Sequence, residues 1–110
     1  MNIDWSKYTN NASFWERYDP SIQEEDNRYT IAMSWVRDVK TDPPIWMRHD
    51  PTIRSIFENT IAMLWICFVK TEPPEWMRHD PNIKNKYGDT IVDYWKKFIK
   101  TEPPEWMKEG

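Results

Sequence analysis

One twelve-residue stretch occurs twice in full and a third time in part, and it limits the folds open to the chain more than any other feature. It is Lys-Thr-Glu-Pro-Pro-Glu-Trp-Met-Arg-His-Asp-Pro at residues 70–81, recurs with small changes at 40–51, and begins again at residue 100. A lysine suits a helix C-terminus, whereas an acid followed by proline suits a helix start. Between them, Pro-Pro-x-Trp-Met predicts one short turn of 3₁₀ helix. The stretch, which we call the Pro-Pro corner, is therefore predicted to link two helices.

The corner belongs to an internal repeat with a period of thirty residues. Residues 50–79 and 80–109 align without a gap and are identical at 15 of 30 positions. The first copy, residues 19–49, carries one extra residue before Thr30, and residues 1–18 hold a degenerate half copy. Periods of this length are typical of stacked helical repeats. The sequence predicts a single all-α domain over residues 1–110, with about three and a half copies of a helix-turn-helix unit, solenoid-like or compacted into one bundle.

Each copy is predicted to hold two helices, of which the first is called helix A. Its start signal is the proline of the Asp-Pro pair, at Pro20, Pro51 or Pro81. We expect it to end before the threonine that precedes the second helix, and Gly88 suits a left-handed position at that end. One continuous kinked helix over residues 81–100 is the alternative.

The second helix of each copy, helix B, is predicted from its apolar spacing. In the third copy it runs from about Thr90 to Lys100, with Ile91, Trp95 and Phe98 at the i, i+4 and i+7 positions of one face. These residues and the corner tryptophans should form the core. The predicted core is Ile31, Trp35, Trp46, Ile61, Trp65, Phe68, Trp76, Ile91, Trp95, Phe98 and Trp106.

Helix B of the second copy is apolar on the face opposite this core as well. The residues concerned are Met63, Ile66 and Cys67, where the third copy has charged residues. In a stacked array the middle unit has neighbours on both sides and the terminal units have polar outer faces. Either neighbouring copies cover this stripe or it forms an exposed patch for a partner or a second copy of the chain. Together with Arg48 and Arg78 of the corners, these three residues are the candidate partner-binding residues.

Little in the sequence points to catalysis or to a cofactor. The pairs His49-Asp50 and His79-Asp80 lie thirty residues apart, so the two histidines should fall on successive units rather than in one metal site. We expect each aspartate to cap a helix and each histidine to be a satisfied junction residue. The chain has only two glycines, which excludes a glycine-rich phosphate loop. No catalytic residue, metal site or cofactor is predicted.

The composition indicates an ordinary soluble protein with a large aromatic content. Fifteen basic and 18 acidic residues give a net charge of −3, which argues against nucleic-acid binding. The longest apolar run, residues 61–69, is too short to cross a membrane. One cysteine and no signal peptide favour an intracellular location.

The function expected from these features is that of a non-enzymatic module. The first hypothesis is a protein–protein interaction or scaffold module, such as a small accessory subunit of a larger assembly. The second is an inhibitor or immunity-type protein that blocks an enzyme or effector. A metal-dependent enzyme is the weakest of the three. A protein partner is expected, and self-association is left open.

Overall fold

In the computed structural model, which describes residues 19–108, every regular element is a helix, and no strand occurs among those residues. The all-α prediction is confirmed. The four α-helices are α1 (Ile31–Asp38), α2 (Ile61–Phe68), α3 (Ile91–Phe98) and α4 (Glu105–Lys108), and 3₁₀ helices span Ile45–Met47 and Glu75–Met77. Helix B is thus found in all three full copies as α1, α2 and α3. The half copy predicted at residues 1–18 lies outside the described residues.

Each of these three helices begins at a threonine. The hydroxyl oxygens of Thr30, Thr60 and Thr90 accept hydrogen bonds from the backbone N–H three residues later, at 3.2–3.3 Å. This satisfies one of the backbone donors that a helix N-terminus leaves without a partner. In the third copy the cap is Thr90, and Asp93 accepts a return bond from its backbone N–H at 2.8 Å.

The helix A prediction is wrong, and so is the continuous-helix alternative. After Asp50 the chain forms a turn, because the aspartate Oδ1 accepts from both the backbone N–H and the hydroxyl of Thr52, at 2.9 and 2.7 Å. The segment then closes as a loop, in which the Ser55 N–H donates to the Asn59 carbonyl at 2.9 Å. Short polar side chains thus compete with helical hydrogen bonds, so Asp50 caps a turn rather than a helix. We call residues 20–29, 51–59 and 81–89 loops 1, 2 and 3.

Each loop ends through a residue in the left-handed region. The φ angles are +56° at Arg28, +64° at Glu58 and +84° at Gly88. The positive φ predicted for Gly88 is found, although it ends a loop and not a helix. The lysine after each helix also has a positive φ, +64° to +67°, at Lys40, Lys70 and Lys100. The chain reverses there in the way that a glycine usually permits.

The core lies between the three stacked helices, with α2 in the middle. Helix α2 packs against α1 on one side and α3 on the other, and six of its eight residues are buried. Trp35, Trp65 and Trp95 are 7–8% exposed, and the other predicted core residues are buried or packed against the core cluster. On α3, Lys96 and Lys97 occupy the positions that Ile66 and Cys67 have on α2, and both lysines are exposed. The polarity of α2 and of α3 therefore matches the position of each helix, in the middle and at one end of the three.

Candidate interaction surface

At the predicted His-Asp junctions, each histidine contacts other residues of its own chain: the threonine that caps the helix of its copy and the aspartate that begins the next copy. The His49 Nε2 lies 2.8 Å from the Thr30 hydroxyl, and its Nδ1 lies 2.7 Å from the Asp50 carbonyl oxygen. Because a carbonyl can only accept, Nδ1 carries the proton, and in the neutral histidine the threonine hydroxyl donates to Nε2. His79 makes the same two contacts with Thr60 and Asp80. Each histidine can make both contacts in its neutral form.

Acid should weaken both junctions. Burial is the main cause that lowers the pKa of His49 and His79 below their ordinary value of 6.5. Below pH 6.5 the unfolded chain binds protons at these histidines that the folded chain does not yet bind. The contribution of the histidines to the free energy of unfolding is therefore fully present above that pH and is lost as the pH falls through the folded-state pKa. We expect the melting temperature to fall between pH 7.5 and pH 5.

The control for this pH effect is the double variant His49→Gln, His79→Gln. It should lose most of the decline in melting temperature over the same interval, which lies above the ordinary pKa values of aspartate, 3.8, and glutamate, 4.5. An unchanged decline in that variant would show that the histidines are not its source.

A tryptophan of the following copy packs against each junction. The Trp76 ring meets His49 edge-on, with centroids 5.8 Å apart, and the Arg48 guanidinium lies 5.7 Å from the Trp76 centroid. The Trp76 Nε1–H donates to the Asp42 carboxylate at 3.0 Å, and the other oxygen of that carboxylate lies 3.5 Å from Arg48. One aspartate thus holds both the indole and the guanidinium.

The next junction repeats this arrangement with one difference. Trp106 packs against His79, and the Arg78 guanidinium lies 5.6 Å from its ring centroid. The acid is now Glu72, which pairs with Arg78 at 3.5 Å. The Trp106 Nε1 is buried and has no hydrogen-bond partner within residues 19–108. The glutamate, one methylene longer than Asp42, satisfies the arginine alone.

Exchanging the two acids should have opposite effects on stability. Glu72→Asp should supply the missing acceptor for Trp106 and raise the free energy of unfolding by about 1 kcal/mol, since an unsatisfied buried donor costs roughly that much or more. Asp42→Glu should remove the acceptor from Trp76 and lower it by about the same amount. Urea denaturation of both variants measures this. Two changes of the same sign would contradict the assignment.

The five candidate partner-binding residues from the sequence do not form one surface. Arg48 and Arg78 belong to the two junctions, paired with Asp42 and Glu72. Met63 and Ile66 are 0% exposed, on a helix that packs against both α1 and α3. Cys67 keeps some exposed surface, and burial raises the pKa of its thiol. No group of three or more His, Cys, Asp or Glu in the described part of the chain could hold a metal ion.

The three loops lie side by side and are joined by equivalent hydrogen bonds. The Ile56 N–H of loop 2 donates to the Asn27 carbonyl of loop 1 at 2.9 Å. Thirty residues later, the Lys86 N–H of loop 3 donates to the Phe57 carbonyl of loop 2 at 2.8 Å. We call this arrangement the loop ladder, with each loop as one rung.

Side chains strengthen the ladder at both steps. The Gln23 amide of loop 1 donates to the Arg54 carbonyl of loop 2 at 2.6 Å. The buried Asn85 amide of loop 3 donates to the Asn59 Oδ1 at 2.9 Å, and the Tyr94 hydroxyl of α3 donates to the same oxygen. Rungs 2 and 3 are therefore fixed to each other and to the helix stack.

The outer side of the ladder exposes large apolar side chains. Ile56 is 43%, Phe57 45% and Tyr87 68% exposed, and the two rings stack with centroids 5.9 Å apart at 28°. The Lys86 ammonium lies 6.0 Å from the Phe57 centroid. We define Ile56, Phe57, Lys86 and Tyr87 as the loop ridge. An adjacent apolar group of this kind, flanked by charges, is typical of interaction surfaces.

An open cleft of about 500 Å³ borders the ridge. It crosses all three loops, with Ile56 as its apolar part and charged groups of both signs around it. The lining residues are Glu25, Arg28, Ser55, Ile56, Glu58 and Lys86. Ridge and cleft together form the candidate interaction surface.

This surface is not predicted from the sequence, because the repeat pattern assigns the ridge residues to helix A. The available signal was the Asp50-Pro51-Thr52 turn, which begins with the side-chain hydrogen bonds of a loop. If the segment is assigned as a loop, Phe57 and Tyr87 have no helix face to bury them and become candidates for exposure.

Comparison of the chain with protein-family models, curated proteins and solved structures found no match. None of the helices within residues 19–108 has the length and apolar character needed to cross a membrane.

Proposed function

We propose that the chain is a non-enzymatic protein-interaction module, built as a tandem array of thirty-residue helical repeats that presents its loops to a partner. The observation that carries this is the loop ridge. Three adjacent loops, without helix or strand, are held in place by equivalent hydrogen bonds and expose Phe57 and Tyr87 as a stacked pair. Ordered loops lose little freedom on binding, which favours affinity.

The arrangement of charges supports a protein partner in particular. The cleft beside the ridge has Glu25 and Glu58 as well as Arg28 and Lys86. Nucleic acid would instead favour a surface of one sign, so the mixed charges favour a polypeptide. As a soluble intracellular module, the chain would serve as a scaffold or accessory subunit in an assembly.

The test is capture of a partner from a lysate of the source organism by the immobilised full chain. A true partner should be retained by the parent and lost with the double variant Phe57→Ser, Tyr87→Ser. Both side chains are exposed, so the variant should keep the parent melting temperature.

The matched control is Ile45→Ser, which removes a 76% exposed apolar side chain from a Pro-Pro corner rather than from the ridge. It should capture the same protein as the parent. If the ridge variant retains that protein as well as the control does, the ridge is not the interaction surface and the proposal fails.

A further inference from the structure

The loop ladder ends at loop 3 with an unused edge. At each internal step, a loop carbonyl accepts an N–H from the next rung, as Asn27 does from Ile56 and Phe57 from Lys86. The equivalent carbonyl of loop 3 belongs to Tyr87, and it accepts no hydrogen bond within residues 19–108. The Tyr87 ring is the most exposed of the ridge. Within the described residues, the last rung thus has a free backbone carbonyl at the position where each of the first two rungs accepts a hydrogen bond from the next rung.

A second position on the same edge is also unused. In loop 1, Gln23 reaches across to the Arg54 carbonyl of the next rung. Lys84 is the equivalent residue of loop 3. It lies two positions before Lys86, as Arg54 lies two before Ile56, whereas the extra residue of loop 1 puts Gln23 three before Asp26. The Lys84 ammonium is exposed and has no ion pair or hydrogen bond in the described part of the chain. A cation there can pair with a carbonyl or carboxylate oxygen of whatever binds the edge.

The charge of the rungs changes along the ladder. Loop 1 has three acids and one arginine, a net −2; loop 2 has one arginine and one acid, a net 0; loop 3 has two lysines and one acid, a net +1. The open edge therefore lies at the basic end. Electrostatic complementarity favours an acidic occupant there.

Resting on the proposed function, the geometry points to an extended acidic segment of a partner protein as the occupant of this edge. The segment forms a fourth rung. Its backbone N–H donates to the Tyr87 carbonyl, one of its side chains covers the Tyr87 ring, and its carboxylates pair with Lys84. Main-chain hydrogen bonds to an exposed backbone edge are an established mode of peptide recognition. The Asn85 amide and the Tyr94 hydroxyl hold loop 3 in place before the segment arrives.

The chain itself supplies a suitable probe. A synthetic peptide with the sequence of residues 20–30 is an acidic rung, and its Asp26 N–H is equivalent to the N–H groups of Ile56 and Lys86. Titrated into ¹⁵N-labelled full chain, it should give saturable amide shifts confined to loop 3. Lys84→Glu should weaken binding at least about tenfold, and so should methylation of the peptide nitrogen at Asp26. The same charge change at a distant exposed lysine, Lys40→Glu, should leave affinity unchanged.

A charge exchange makes the test specific. A peptide with its three acids replaced by lysine should bind the parent weakly and regain affinity for the Lys84→Glu variant. Shifts that are indifferent to Lys84 and to methylation, or no saturable binding, would overturn the proposal. So would self-association of the chain that Lys84→Glu abolishes, because the occupant would then be a second copy.

Different results would contradict the interaction function and the acidic fourth rung. If the peptide does not bind but capture from lysate still depends on Phe57 and Tyr87, the interaction function stands and the acidic fourth rung is wrong.

Discussion

Ile66→Asp should lower the free energy of unfolding by on the order of 5 kcal/mol, which is enough to prevent folding of a domain about this size. Ile66 is 0% exposed on the middle helix, with α1 on one side and α3 on the other. An aspartate there would be a buried charge without a partner. Circular dichroism and urea denaturation would measure the loss.

The matched control is Lys96→Asp, the same new residue at the equivalent place on α3. Lys96 is exposed, so this change should cost less than about 1 kcal/mol, mainly through the helix dipole near the C-terminus. Met63 is a poorer site for the test, because an aspartate there could accept from the Thr60 N–H as Asp93 does from Thr90. Similar losses for Ile66→Asp and Lys96→Asp would mean that α2 is not enclosed.

Trp65→Ala should lower the free energy of unfolding by about 3–5 kcal/mol, the range for emptying a large core site. The Trp65 side chain is 7% exposed and belongs to the core cluster that the three stacked helices share. Its Nε1–H also donates to the Thr71 hydroxyl at 3.0 Å.

Thr71→Val separates the hydrogen bond of Trp65 from its packing. This change removes only the acceptor and should cost about 1 kcal/mol. If Trp65→Ala costs no more than Thr71→Val, the ring contributes little packing and the stacked core is wrong.

The helices could be predicted from the sequence because their signals are local. Thr60 marks the start, the spacing of Ile61, Trp65 and Phe68 marks the buried face, and Lys70 marks the end. The 3₁₀ turns of the first two corners followed from Pro-Pro-x-Trp-Met for the same reason. Each of these signals operates within one helix or one turn, so no knowledge of the tertiary structure was needed.

The loops could not be predicted as well, because their structure depends on residues far apart in the chain. Asp-Pro suits a helix start and a turn alike, and the choice is made here by contacts such as Asn85 to Asn59, 26 residues away. As long as these segments are assigned as helices, the exposure of Phe57 and Tyr87 cannot be predicted. Stripe residues such as Ile66 posed the opposite problem, because an apolar face on a helix predicts burial without saying whether the chain itself or a partner provides it.

The proposed interaction surface exists only if the three loops form an ordered ladder that holds the ridge in place. Amide hydrogen exchange of the free protein tests this directly, because only some loop amides are donors. The Ile56 and Lys86 amides donate across the ladder, whereas those of Phe57 and Lys84 donate no hydrogen bond within the described residues.

We expect Ile56 and Lys86 to exchange at least about tenfold more slowly than their intrinsic rates, and Phe57 and Lys84 to exchange near theirs. Equal, unprotected exchange at all four amides would contradict the ladder, and with it the surface proposed to bind a partner.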